Sequence, residues 1–335
     1  MITTNFAYAL GEPSETLELK NTTADFIVEE QLGFEPEGSG EHLFLLIKKS
    51  GENTDYLAKQ LARFLNVKTM DVGFCGLKDR HGETTQWFSV YAPKLESEPD
   101  WQEFTHTCKL HINILKTTRH TKKLRRGAHQ ANLFHIVLRG HINDVDALER
   151  RLVSVKQDGV PNYFGNQRFG RENMNLQAVN DWVSTGRLSK NRHKRGLIIS
   201  SARAYLFNCI LSTRVAQQTW RRRIPGDIAC ENQTDMATAA LWGRGHSKTE
   251  GEAADIEQNC LEPYRSWLDK LEHCGLAQER RSLVCLPNDI QWQLGNDYLA
   301  LRFSLRPGQY ATSVIREIAH TVEQERHSEY QLPKG

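Results

Sequence analysis

The sequence predicts an α+β protein in which a sheet domain is interrupted by a mainly helical region and then resumed. Three observations carry that prediction. Segments of alternating polarity recur between Leu17 and Leu138, helical periodicity takes over from "LQAVNDWV" to Trp220, and an alternating segment returns at Tyr298. At 335 residues the chain exceeds one ordinary domain of ~100–200 residues, so two lobes are expected. The expected division is a discontinuous core of residues 1–153 and 276–335 around an insertion of residues 154–275.

Each element follows from its pattern. "FIVEE" (26–30) and "HLFLLIKKS" (42–50) are expected as strands, and "TDYLAKQLARFLNV" (54–67) as a helix with Thr54 as its N-cap. "QWFSVYA" (86–92), "CKLHINILKTT" (108–118) and "LFHIVLRG" (133–140) alternate as half-buried strands. "INDVDALERRLVSVKQDG" (142–159) is an amphipathic helix ended near Gly159, and 160–172 is a loop broken by Gly and Pro. Helices follow through 200–220, then a poorly defined stretch in which "LWGRGHSKTEGEAADIEQ" suggests a loop and a charged helix. "YLALRFSLRPG" (298–308) is a strand and turn, and "ATSVIREIAHTVEQ" (311–324) a helix. The sequence shows no internal repeat or low-complexity tract.

Composition narrows the function classes. The 43 Lys and Arg nearly cancel 41 Asp and Glu, so a nucleic-acid site must come from local clustering. Clusters stand at "RHTKKLRR" (119–126), at "RHKR" (192–195) and at Arg221–Arg223. The 7 cysteines are odd in number, scattered and without a C-x-x-C pair, which fits reduced thiols. No metal site is expected: the 13 histidines show no H-x-x-x-H pattern, and the nearest pieces, His129 and His135, are six apart. With no basic-then-apolar leader pattern and no apolar run near ~18 residues, a soluble, cytoplasmic protein is expected.

"GFCGLKDRHGETTQ" (73–86) sets Asp79 between Lys78 and Arg80 after a glycine-broken apolar run. Locally this is the pattern of a solvated turn. Carboxylate chemistry would require Asp79 to be partly desolvated and kept ionised by a nearby cation. Chain neighbours in extended backbone face opposite ways, so Lys78 is a poor partner and Lys20 is a candidate. The basic stretch offers Arg119, Lys122, Lys123, Arg125 and Arg126 for phosphates, with Asn132 and Phe134 close by for a base, as in RNA recognition; it reads equally as a charged edge strand. Tyr163, Phe164 and Phe169 either stack on bases or plug a seam between domains.

The ordered segments "ADFIVEE", "GFCGLKDRHGETTQ", "KLRRGAHQANLFHIVLR", "VPNYFGNQRFG", "SARAYLFN" and "RPGQYATSVIRE" resemble the TruD family of tRNA pseudouridine synthases, across residues 24 to 317. The resemblance implies a pseudouridine-synthase core of mixed or antiparallel sheet, carrying a largely helical α+β insertion of TruD type. It implies tRNA as partner, and isomerisation of uridine to pseudouridine at position 13 of the D arm. No cofactor or metal is implied, because uracil is both leaving group and returning nucleophile. Asp79 matches the catalytic aspartate of the G-x-K-D motif and Lys20 its basic partner. Phe26, Asn132 and Tyr310 match substrate contacts, and Phe134 matches the aromatic that replaces a stacking tyrosine. The chain departs from the family pattern at Cys75, Gly82 and Ala131, and Tyr310 stands where Phe is frequent. The alternative is a non-catalytic RNA-binding or RNA-chaperone protein on the same scaffold, which would have no use for a desolvated carboxylate.

Overall fold

The computed structural model describes residues 2–95, 97–108, 110–230 and 233–322. They form two compact units: a sheet unit of the described residues within 15–143, 288–308 and 320–322, and a helical unit of those within 2–14, 144–287 and 309–319.

In chain order the sheet unit opens with β1 (Thr16–Leu19), β2 (Phe26–Gln31), β3 (His42–Ser50), α1 (Thr54–Phe64), β4 (Val72–Phe74), β5 (Glu83–Tyr91), α2 (Trp101–Cys108), β6 (Ile112–His120) and β7 (Ala131–Arg139). The helical unit supplies α3 (Val145–Asp158), β8 (Val160–Pro161), α4 (Met174–Thr185), α5 (Arg192–Ala216), β9 (Ala229–Cys230), β10 (Gln233–Leu241), α6 (Gly251–Leu261), α7 (Arg265–Glu272), β11 (Glu279–Ser282) and β12 (Val284–Cys285). The chain then returns to the sheet as β13 (Asn288–Leu294) and β14 (Tyr298–Leu305). It adds α8 (Ala311–Ile318) to the helical unit and ends its described part as β15 (His320–Val322) in the sheet unit.

The large sheet runs β13-β14-β7-β2-β5-β3-β6, with β4 on β5 and with β1 joining β7 to β15. It is mixed: β2 pairs with β5 and β1 with β15 in parallel, and the other pairs are antiparallel. Period-2 alternation explains its two faces. Leu43, Leu45 and Ile47 of β3 meet Leu57 and Leu61 of α1, Phe88 and Val90 of β5, and Phe104 of α2 in one core. Phe44 and Trp87, out of phase with them, join Leu32, Cys75 and Leu124 on the opposite face. The helical unit packs around α5, whose Tyr205, Leu206, Phe207, Ile210 and Leu211 are fully buried.

Several sequence expectations shift. Asn53, not Thr54, caps α1, its side chain accepting from the Asp55 N–H; Thr54 is the first helical residue and its hydroxyl is used elsewhere. Cys108 ends a helix rather than beginning a strand, because Phe104 turns inward against α1. The helix from Ala311 stops at Ile318, where extended Ala319 (φ −150°) leads β15 onto β1; positions 323 and 324 lie outside the described residues. The poorly defined stretch supplies β9 and β10, ahead of α6, to a small antiparallel sheet that β11 completes after α7. Tyr163 and Phe169 are neither exposed stackers nor a seam plug: both are buried in the core of the helical unit with Phe6 and Tyr205. All seven cysteines are free thiols. No helix among the described residues is long and apolar enough to cross a membrane.

Candidate active site

The loop between β4 and β5 carries Asp79, and buried polar side chains fix its course. Gln86 of β5, fully buried, donates from Nε2 to the Gly76 carbonyl at 3.1 Å and accepts at Oε1 from Thr54 Oγ1 at 2.9 Å. The Lys78 N–H in turn donates to Thr54 Oγ1 at 3.1 Å. Beyond the loop's tip, Arg80 Nε donates to the Gly51 carbonyl and the His81 N–H closes onto Asp79 Oδ1 at 3.0 Å. A sequence that reads locally as a solvated turn is therefore anchored at both ends. Gly82 lets this loop approach β2, since a Cβ there would stand 2.5 Å from the Phe26 carbonyl oxygen.

Asp79 meets the cation that the resemblance implied. Lys20 Nζ donates to Asp79 Oδ2 at 2.5 Å, with the lysine side chain 5% and the aspartate side chain 24% exposed. Burial pushes the Asp79 carboxyl up. The Lys20 ammonium and the His81 N–H outweigh it and hold the group below the ordinary carboxylate value. Lys20 follows β1 in left-handed backbone (φ 60°), a conformation uncommon for a residue with a side chain and typical of sites where surrounding structure holds it. Its ammonium also lies 4.6 Å above the Phe26 ring, whose electron-rich face adds to the attraction of the Asp79 carboxylate.

Register places the remaining sheet-unit candidates on that same face. β2 and β7 pair Phe26 with Ile136, Val28 with Phe134 and Glu30 with Asn132, and directly opposed residues project together. Phe134 accordingly meets Phe26 edge-on at 6.2 Å and stacks on Phe303 at 5.5 Å. Asn132 is half-buried at the edge of this aromatic patch. Its Oδ1 accepts from Lys78 Nζ at 2.5 Å, and its Nδ2 lies 3.0 Å from His129 Nε2.

Lys78 thus turns away from Asp79, as chain geometry predicted, and pairs at 2.7 Å with Glu30, whose side chain has no exposure. Sequence reasoning did not find this pair. Residues 30, 78 and 132 are too far apart in the chain for any spacing rule to connect them. Glu30, Cys75 and His129 bring three potential metal donors within 4.8 Å. They suit a cation poorly: Lys78 already supplies one to Glu30, and burial pushes the Cys75 thiol up to about 12.

The cationic candidates divide. Lys122, Arg125 and Arg126 are exposed, and Arg126 covers the Phe74 ring at 5.4 Å. Arg119 is half-buried, its guanidinium donating to the carbonyls of Gly40, Ala92 and Leu95 at 3.1, 3.3 and 2.6 Å. Lys123 donates to the Met70 carbonyl. A groove of about 920 Å³ runs beside this stretch, lined by Phe34, His42, His120, Lys122, Lys123 and Arg125 among others. Tyr310 belongs to the helical unit. There it borders a cavity of about 190 Å³ with Gln167 and Arg168, and its hydroxyl accepts from Arg168 Nη2 at 2.8 Å.

Comparison with known proteins agrees with this architecture. The family model described as tRNA pseudouridine synthase D (TruD) matches residues 4–194 and 233–318. The tRNA pseudouridine synthase D of Cellvibrio japonicus is 42% identical over 319 residues, covering 94% of this chain and 92% of its own. That of Nitrosococcus oceani is 40% identical over 340 residues, covering 95% and 94%. A crystal structure of a TruD-type protein from Methanosarcina mazei shares the fold at 19% identity, with a TM-score of 0.67 over 93% of this chain and 95% of that one. The chain belongs to the TruD family of tRNA pseudouridine synthases.

Proposed function

We propose that this chain isomerises uridine to pseudouridine in tRNA, that its target is the uridine at position 13 of the D arm, and that Asp79 is the reacting carboxylate. The observation that carries the proposal is the 2.5 Å pairing of Asp79 with Lys20 beside the Phe26 ring. A carboxylate that is largely desolvated and still ionised is of use to chemistry and of none to a protein that only binds.

The target nucleotide leaves its stack, at a cost of a few kcal/mol that is smallest in a loop; stacking on an aromatic ring returns ~1–3 kcal/mol. In this reading Phe134 and Phe26 supply that ring surface and Asn132 the polar contact. The N1–C1′ bond breaks, uracil turns, and C5 bonds to C1′; the proton lost from C5 is balanced by one gained at N1. Asp79 acts either as nucleophile at C1′ or as the base that takes a sugar proton, and both roles need the ionised form. Lys122, Arg125 and Arg126, which are exposed, serve the phosphate backbone, while Arg119 and Lys123, bonded to backbone carbonyls, shape the stretch that carries them. Residues 154–275 are the TruD-type insertion and the flanking segments the synthase core. The protein works in the cytoplasm.

The test is a pseudouridine map of a full-length tRNA transcript after incubation with the purified protein. Pseudouridine at position 13 with wild type, and none with Asp79→Asn, is expected. Product at another position would remove the D-arm assignment, and tight binding without product would return the chain to the non-catalytic alternative.

A further inference from the structure

Lys78 and His129 meet at the Asn132 side chain, and Glu30 holds Lys78 there. We propose that they are positioning residues which lock the Asn132 carboxamide in one orientation, so that it accepts uracil and rejects cytosine. This rests on the pseudouridine-synthase reading above.

A terminal amide can ordinarily turn by half a revolution and exchange donor for acceptor. Here it cannot. The Lys78 ammonium has only donors, so the amide oxygen must face it, at 2.5 Å. The NH2 group then faces His129 Nε2 at 3.0 Å, which requires a lone pair on that nitrogen and hence a neutral ring. Burial, with Lys78 adding to it, lowers the basicity of His129 and keeps it neutral. Lys78 is itself held by Glu30 at 2.7 Å, and Glu30 is fixed through its other oxygen by the Trp87 N–H at 3.1 Å. The register of β2 against β7 sets Glu30 directly opposite Asn132, which brings the whole network onto one face. A buried ion pair of this kind is weak evidence for stability, since desolvation offsets its attraction; fixing one arrangement is the use that its geometry fits.

Two of the four hydrogen-bonding positions of the carboxamide are consumed in this way. One N–H and one oxygen lone pair remain for a base, in the order that the two bonds fix. Uracil presents a matching pair, the N3–H donor beside a carbonyl acceptor. Cytosine in the same pose sets the N3 lone pair against the amide oxygen and its amino group against the amide NH2. A freely turning asparagine would satisfy either base.

The experiment compares equilibrium binding of two tRNA transcripts that differ only in carrying uridine or cytidine at the mapped target position. Proteins tested are wild type, Asn132→Ala, the charge-balanced double variant Glu30→Gln/Lys78→Met, and the triple variant. The double variant leaves no unpaired charge in the interior, and its thermal midpoint and its binding of uridine transcript report folding. Wild type should prefer the uridine transcript about tenfold or more in Kd, the usual scale for one bidentate base contact. The double variant should lose most of that preference, and adding Asn132→Ala to it should cost no more. Equal preference in wild type and double variant, or additive losses in the triple variant, would overturn the lock. Failure of wild type to make any pseudouridine would instead strike the functional reading, because base preference in binding is measured without turnover.

Discussion

Two groups of cations in the sheet unit do opposite things. Lys20 and Lys78 are each committed to one acid, Asp79 and Glu30, with side chains 5% and 6% exposed. Lys122, Arg125 and Arg126 stand in water on the stretch before β7. Buried cations are screened little by salt, so they set the protonation and orientation of particular groups; exposed ones act at a distance, and their effect fades as ionic strength rises. The sequence shows the second group as a run and the first as scattered single letters. Cationic density along the chain is therefore poor guidance to which cations are buried and paired.

The largest effect should come from Asp79→Asn, which keeps the shape and removes both nucleophile and base. Product formation should fall at least ~10³-fold, while Kd for tRNA stays within a few-fold. Turnover at a tenth of wild type would exclude Asp79 from the chemistry.

Gly82→Ala should follow. A Cβ there would meet the Phe26 carbonyl oxygen at 2.5 Å, so the loop or β2 must move and the Lys20–Asp79 contact with it. We expect about a tenfold or larger loss of single-turnover rate, since small misplacements of reacting groups can cost up to ~10²-fold, with little change in binding. An unchanged rate would show that the loop has slack that the close approach does not suggest.

The exposed cations should act on salt dependence alone. Neutralising Lys122, Arg125 and Arg126 together should weaken all tRNAs alike and flatten log K against log salt by up to ~0.7–0.9 per lost phosphate contact. An unchanged slope would return this stretch to a charged edge without an RNA role. Arg119→Gln separates the two groups further. Its guanidinium is spent on three carbonyls, so the expected outcome is ~1–3 kcal/mol of lost stability in denaturant unfolding and a slope close to wild type.

Much of the sheet was legible because alternation over β3, β5, β6 and β7 survives into two packed faces. α2 was missed since it is short and its inward residue, Phe104, gives no repeat to read. At the site, Asp79, Lys20, Phe26, Asn132 and Phe134 were reached through motif resemblance, and the fold brings these five to one unit. Periodicity alone left Asp79 as a turn residue, because what anchors its loop (Gln86 and Thr54) and what pairs with it (Lys20) are assembled across the fold rather than along the chain. The Glu30, Lys78 and Asn132 network was invisible for the same reason. The aromatics of 160–172 left two readings open, stacking on bases or filling a seam, and packing places Tyr163 and Phe169 in the core of the helical unit.

The central claim is that Lys20, and not Lys78, keeps Asp79 ionised. A carboxyl held below its ordinary value of 3.8 stays charged at all higher pH and loses charge only as pH falls through that depressed value. Without Lys20 the strongest influence opposing burial is gone, and the group should rise. The direct measurement is single-turnover rate against pH, at saturating enzyme, for wild type, Lys20→Met and Lys78→Met. The account predicts that the acid limb of Lys20→Met moves toward neutral pH, while Lys78→Met lowers the rate and leaves the limb in place. A limb displaced in Lys78→Met and unmoved in Lys20→Met would contradict it.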